Sequence, residues 1–192
     1  MRPSKESGMK LNRFRVGELI SVIDEKNTEG FDYPFYGINI NKEFMPSVAN
    51  TSNVDKKKYK VIKSNRFVFS GMQTGRDQCI RIGIYRGSFN VLVSPAYTTF
   101  EVTNPAILPL YFFMVFNSKE MDRYGAFLSD SSVRSNLDWD RFCEIEITVP
   151  PIHLQQKYCA IFDSLSTKKD MFKKFPNLSS ILVMGALSEA QK

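Results

Sequence analysis

Three short runs rich in Val, Ile, Phe, Tyr and Thr stand at the centre of the chain, at residues 66–70, 79–85 and 91–100, each bounded by Gly, Ser, Asn or Asp. β-branched and aromatic side chains suit a pleated, half-buried surface, so the pattern predicts three strands. On the N-terminal side, residues 16–23 (VGELISVI) predict a short amphipathic helix or turn, and residues 35–40 (FYGINI) a strand. Residues 44–54, interrupted by Pro46, Asn50, Ser52 and Asn53, predict an irregular surface loop. After the strands, Asn104-Pro105 marks a turn and the start of a helix. Residues 106–116 are apolar almost all round, as a helix buried against a sheet must be. A second short helix is predicted over 118–127, a polar loop over 128–137 and a capped helical turn over 138–142. Residues 144–149 alternate acidic and apolar positions, the period of a half-buried strand, which Pro150-Pro151 ends.

The pattern then changes. Leu154, Tyr158, Ile161, Leu165, Phe172 and Phe175 recur at alternating steps of four and three, with Lys168 in the remaining seam position. That is a heptad-like stripe on a helix over about residues 152–175. Pro176 and Asn177 break it, and a second helix is predicted over 178–191. Such a narrow stripe is covered either by the helix's own domain or by another chain. The elements together predict an α+β fold in two parts, a domain over residues 1–150 and a helical segment over 151–192.

Composition narrows the function. The chain has 192 residues, 43% hydrophobic and 24% charged, an ordinary globular balance. Three cysteines, Cys79, Cys143 and Cys159, lie far apart with no Cys-x-x-Cys pair, which argues against a disulfide framework and a zinc site and points to a reducing cytoplasm. The polar, basic first residues lead into no apolar signal core, and the longest apolar stretch, 106–116, is too short to span a bilayer. Net charge is +6, with 13 basic and 8 acidic side chains in residues 1–66 against 4 and 7 in residues 105–150. A basic first third fits a polyanionic partner.

Candidate chemistry sits in two polar stretches and one charge run. Between the first two central strands lies Gly71-Met72-Gln73-Thr74-Gly75-Arg76-Asp77-Gln78, where two glycines permit a sharp path and long polar side chains follow. It is either a reading loop or an ordinary polar hairpin. Ser132, Arg134 and Asn136 form a second polar set. Asp55-Lys56-Lys57-Lys58 is either a solvated helical turn or a phosphate contact. No residue is assigned a catalytic role and none a metal. The one histidine, His153, stands at the start of the predicted long helix, and no Gly-rich phosphate loop or paired-carboxylate motif occurs.

Four stretches together carry a resemblance: 14–27 (FRVGELISVIDEKN), 59–85, 93–100 (VSPAYTTF, with its Ser-Pro-Ala-Tyr core) and 133–156. In this order the chain resembles one target-recognition half of a type I restriction–modification specificity subunit. The resemblance implies a mixed, strongly twisted β-sheet recognition domain with packed short helices, followed by a coiled-coil-like helical spacer. It implies a non-catalytic subunit that reads one half of a split target in double-stranded DNA. It also implies methyltransferase subunits and a restriction/motor subunit as partners, and those partners, not this chain, would hold S-adenosylmethionine, ATP and Mg. Gln73, Thr74, Arg76, Gln78, Ser132, Arg134 and Asn136 become candidate base contacts. Lys56, Lys57, Lys58 and Lys63 become candidate phosphate contacts. Leu154, Tyr158, Ile161, Leu165 and Phe172 become the helix seam, with a homodimer as one way to supply two reading heads.

Full specificity subunits carry two recognition domains and two spacers, and one of each is found here. A half-subunit, a silent or truncated cassette, and a protein-interaction module without DNA binding of its own therefore stand as competing expectations.

Overall fold

The structure, a computed structural model, describes residues 11–48, 54–130 and 132–174. It divides into two compact units, Met1–Gln155 and Gln156–Lys192.

The first unit is organised by a strand that is apolar on both faces. β1 spans Asn12–Arg15, β2 Ile20–Val22, β3 Tyr36–Ile38, β4 Phe44–Pro46, β5 Lys60–Ile62, β6 Phe67–Ser70, β7 Arg81–Ile84, β8 Val91–Val93, β9 Thr98–Val102 and β10 Glu146–Val149. A four-stranded antiparallel sheet runs β2-β9-β6-β7, and three two-stranded ribbons pair β1 with β10, β3 with β4 and β5 with β8. Every ladder among the described residues is antiparallel, and the one parallel pairing is the isolated bridge Phe35–Leu92. The strands are thus spread over several small antiparallel sheets instead of a single mixed one.

The period-two alternation of β6 divides the interior. Phe67 and Phe69 face one way. Phe67 stacks on Phe100 at 4.9 Å and meets Phe112 edge-on at 5.5 Å, and Phe69 stacks on Phe142 at 4.5 Å. Phe112 belongs to α2 (Pro109–Phe116) and Phe142 to α4 (Trp139–Glu144), so this face is covered by helices. Val68, on the opposite face, lies in a second cluster with Ile62, Tyr85, Val91 and Val93, against which Tyr36, Ile38, Phe44 and Tyr97 pack. Each fully buried aromatic side chain contributes roughly 2–3 kcal/mol through water-free burial, which is why β6 can sit at the centre with little polar surface.

Several expectations are corrected. Of the helix or turn expected over 16–23, the turn is found as the 3-10 turn Val16–Glu18, but strand β2 follows it, because Gly17 and the β-branched residues after it do not hold a helix. Residues 44–46 form β4, which pairs with β3 and ends at Pro46 where a ladder N–H is no longer needed. The run 91–100 is two strands. Ser94 accepts the Tyr97 N–H at its carbonyl and the Ala96 N–H at its hydroxyl, and this turn sends β8 to β5 and β9 to β2 and β6. Helix α2 starts at Pro109, not near Pro105. Gln155, fully buried, sets that start: its Oε1 accepts the Leu108 N–H at 2.8 Å while its amide donates to the Ala106 and Pro150 carbonyls.

Helix α3 (Lys119–Leu128) is capped by the Ser118 hydroxyl, which accepts the Met121 N–H. Helix α5 runs Ile152–Lys174, 23 residues or about 35 Å. On it Tyr158, Ile161 and Leu165 are 46%, 58% and 61% exposed. The side chain of Phe172, the break at Pro176 and the expected helix 178–191 lie outside the described residues. Among the described residues no helix is long and apolar enough to cross a membrane, and no cluster of His, Cys, Asp and Glu could hold a metal ion.

Candidate nucleic-acid interface

Two loops that are 60 residues apart in the sequence meet beyond the C-terminal end of β6. The Gly71 carbonyl accepts the Leu137 N–H at 2.9 Å, and the Gly75 N–H donates to the Ser135 carbonyl at 2.9 Å. The Gln73 N–H donates to Asn136 Oδ1 at 3.0 Å. A side chain at Gly71 has no room, since a Cβ there would stand 1.8 Å from the Leu137 carbonyl oxygen. The close backbone approach explains why this position is glycine.

Inside the first loop, residues 74–77 wind into a single helical turn, α1 (Thr74–Asp77), where a plain loop was expected. Gln73 and Gln78 flank it, both in the left-handed region at φ of +60° and +48°. Ser135 in the second loop has φ of +48°. Of the five non-glycine residues of positive φ among the described residues, three lie in these two loops. Each such conformation costs roughly 1–2 kcal/mol, and such strain gathers where a backbone is held for a purpose.

The second loop is braced by Asp130. Its Oδ1 accepts the Ser132 and Asn136 backbone N–H groups, each at 3.1 Å, and the Ser132 hydroxyl at 2.5 Å. The Ser132 hydroxyl bond, together with these amides, holds the Asp130 carboxyl below its usual range. In the first loop Asp77 is likewise held low, by hydrogen bonds from Arg76 and Arg81.

The expected base contacts divide on this geometry. Thr74 is fully buried and its hydroxyl donates to the Gly71 carbonyl, so it belongs to the loop's interior and not to a reading surface. Asn136 is committed to holding Gln73. Arg76, Gln78, Ser132 and Arg134 are exposed, and Arg134 has no ionic partner among the described residues. The residues that sequence reasoning missed are Asp77, Arg81 and Asp130. The i, i+4 spacing of Asp77 and Arg81 was the available signal, and it lay hidden because this stretch does not read as helix.

The lysines lie elsewhere. Asp55 accepts the Lys57 N–H and caps the 3-10 turn Lys56–Lys58. Lys56 pairs with Asp32, Lys58 lies 4.0 Å from Asp55, and Lys63 pairs with Glu25 at 2.8 Å. Glu25 also binds Arg66, at the start of β6, so Lys63 stands at the opposite end of that strand from the paired loops. Tyr97 packs against the second core cluster, its hydroxyl beside Gly37.

An antiparallel sheet that carries two interlocked polar loops, followed by a long helix, defines an α+β domain with a helical extension. The chain belongs to the family of the type I restriction modification DNA specificity domain, which matches residues 12–178. Its fold is similar to that of the S subunit of a type I restriction-modification system from M. genitalium, with 20% identity, a TM-score of 0.54, and 92% of this chain and 44% of that one covered. It is also similar to the HsdS subunit from Thermoanaerobacter tengcongensis (12% identity, TM-score 0.51, 91% and 42% covered). A third match is a chain from a structure describing complex assembly and conformational transition of the type I R-M system (12% identity, TM-score 0.54, 99% and 46% covered). The chain thus spans less than half the length of these structures. No match was found among curated protein sequences.

Proposed function

We propose that this chain is a DNA-reading domain of a type I restriction–modification system, which recognises one half of a split duplex target and directs methyltransferase and restriction/motor subunits to it. The observation that carries this reading is the interlocking of residues 71–78 with residues 130–137, which gathers Arg76, Gln78, Ser132 and Arg134 on strained, hydrogen-bonded backbone. Such a surface suits recognition of base edges, for which fixed donors are required. The lysine turn supplies a separate, sequence-independent grip on phosphate. Helix α5 serves as spacer, and its exposed Tyr158, Ile161 and Leu165 offer an apolar line for a methyltransferase subunit or a second copy of this chain. In this reading the chain performs no chemistry; S-adenosylmethionine, ATP and Mg are handled by its partners.

The test is sedimentation of the purified chain with and without a mixed-sequence DNA duplex, at low and at moderate salt. Co-sedimentation that weakens steeply as salt rises supports the reading. Absence of DNA binding at low salt, both alone and with a methyltransferase subunit present, would overturn it in favour of a silent cassette or a protein-interaction module.

A further inference from the structure

Arg76 does not extend freely into solvent. Its Nε donates to Asp77 Oδ1 at 3.0 Å and its Nη2 to Gln73 Oε1 at 2.6 Å. The second oxygen of the same carboxylate, Asp77 Oδ2, accepts from Arg81 Nη2. Asp77 is therefore fixed from both sides, with its side chain only 18% exposed, while that of Arg76 remains 59% exposed. Arg81 is the more enclosed guanidinium, and its buried Nε has no hydrogen-bond partner.

A guanidinium carries five N–H groups in a rigid plane. In Arg76 the Nε–H and one N–H of Nη2 are committed to Asp77 and Gln73, and the other three N–H groups, two on Nη1 and one on Nη2, make no hydrogen bond among the described residues. We propose that Arg76 reads the O6/N7 edge of a guanine in the major groove, with Gln73 and Asp77 as the positioning residues that hold its plane and Arg81 as the clamp on Asp77. This deepens the DNA-reading function above and rests on it. It also reassigns Gln73 from base contact to support, because its side-chain oxygen is already spent on Arg76.

A phosphate partner fits the arrangement less well. A guanidinium fork also matches a phosphate, so the fixed plane alone does not choose between the two partners, and the neighbouring carboxylate does. Placing a carboxylate between two arginines lowers the local positive charge and repels a phosphate. The same carboxylate costs little toward a neutral base edge, and a preset plane is what bidentate recognition requires.

The test uses the full chain and a random-sequence duplex library to select bound sequences, then replaces each selected guanine in turn by 7-deazaguanine. That analogue keeps base pairing and lacks the N7 acceptor. The expected result is one guanine whose replacement weakens binding roughly 5- to 100-fold. In Arg76→Ala that penalty falls to near onefold, and in Asp77→Asn it falls below that of the parent chain. A purely structural or phosphate role would weaken binding to both duplexes equally and leave the penalty intact, and that outcome overturns the proposal. So does a wild-type chain that selects sequences and is indifferent to 7-deazaguanine at every position, with the DNA-reading function then still standing. A chain that retains no duplex from the library at low salt, both alone and with a methyltransferase subunit present, overturns both.

Discussion

Asn136 accepts the backbone N–H of Gln73 at its side-chain oxygen, 3.0 Å away, across 63 positions of sequence. Gln73 is in the left-handed region, so its N–H is held at an angle that an ordinary turn does not supply. Replacing Asn136 by Ala leaves that N–H to water and frees the strained residue. The expected cost is about 1 kcal/mol in urea unfolding, the usual worth of one partly buried hydrogen bond. A larger loss is expected in DNA selectivity, because the two loops no longer keep their register. Unchanged selectivity with lowered stability would show that the loops read independently.

Gly71 and Gly37 make a matched pair for testing how tightly the loops are locked. A Cβ at Gly71 meets the Leu137 carbonyl oxygen at 1.8 Å, and backbone on both sides has to move. A Cβ at Gly37 meets only the Tyr97 hydroxyl, at 3.5 Å. Gly71→Ala is expected to destabilise the chain by about 3 kcal/mol, at the upper end of overpacking costs, and Gly37→Ala by less than about 1 kcal/mol. Denaturant midpoints compared at constant slope measure both.

The sequence made the strands at 66–70 and 79–85 legible because their residues are apolar on both faces and bounded by turn formers. Helices α3 and α4 were expected over 118–127 and 138–142 and are found there, although Asp138 at the N-cap of α4 makes no side-chain capping bond. Helix α2 was placed four residues early because the partner that sets its start, Gln155, lies 47 residues away from Leu108, and no local pattern announces it. For the same reason Thr74 was taken for a reader: its burial comes from α3, where Gly125 lets Ile80 and Thr74 approach closely. Polar residue types in a loop indicate that something is hydrogen-bonded. Only the fold decides whether the partner is the chain itself.

Acid stability is expected to depend on Glu25. Burial alone would raise its carboxyl, but hydrogen bonds from Lys63 and Arg66 outweigh it and hold the group below its ordinary value of 4.5. A folded-state value below the unfolded one means the stabilisation is complete above about pH 4.5 and is lost as pH falls through the lower folded value. Glu25→Gln is expected to reduce stability at neutral pH, since Arg66, only 9% exposed, keeps Glu101 alone as its ionic partner. The same variant should flatten the decline that sets in as pH falls below about 4.5. Thermal melts across that range check the slope, and an unchanged slope would assign acid unfolding to other carboxylates.

Along α5, Tyr158, Ile161 and Leu165 lie on one stripe and are about half exposed or more. Leu165→Asp puts a charge at the most exposed of the three. Its expected effect is loss of self-association or of methyltransferase capture, with the thermal midpoint within about 2 °C of the parent, as befits a surface substitution. Sedimentation velocity at several concentrations separates the two partners. Parent and variant that both run as monomers, and that both capture methyltransferase equally, would remove this stripe from any interface.

The four lysines differ in what a phosphate would have to displace. Lys56, Lys58 and Lys63 each have a carboxylate within 4.0 Å, whereas Lys57, capped through its backbone by Asp55, has no ionic partner among the described residues. A lysine already neutralised by a neighbour gives little net counterion release, because the new contact replaces an old one. A free lysine contributes close to a full phosphate's share of the salt dependence, a slope of about 0.9 in log K against log salt. Lys57→Ala is therefore expected to make that slope shallower by roughly 0.9 while leaving stability unchanged. Lys63→Ala should leave the slope nearly intact and lower stability through Glu25. Anisotropy titrations of the full chain with one mixed-sequence duplex, repeated over a salt series, measure the slopes. Equal slopes in the parent and the Lys57 variant would place the phosphate grip elsewhere, with Arg134 as the next free cation to replace.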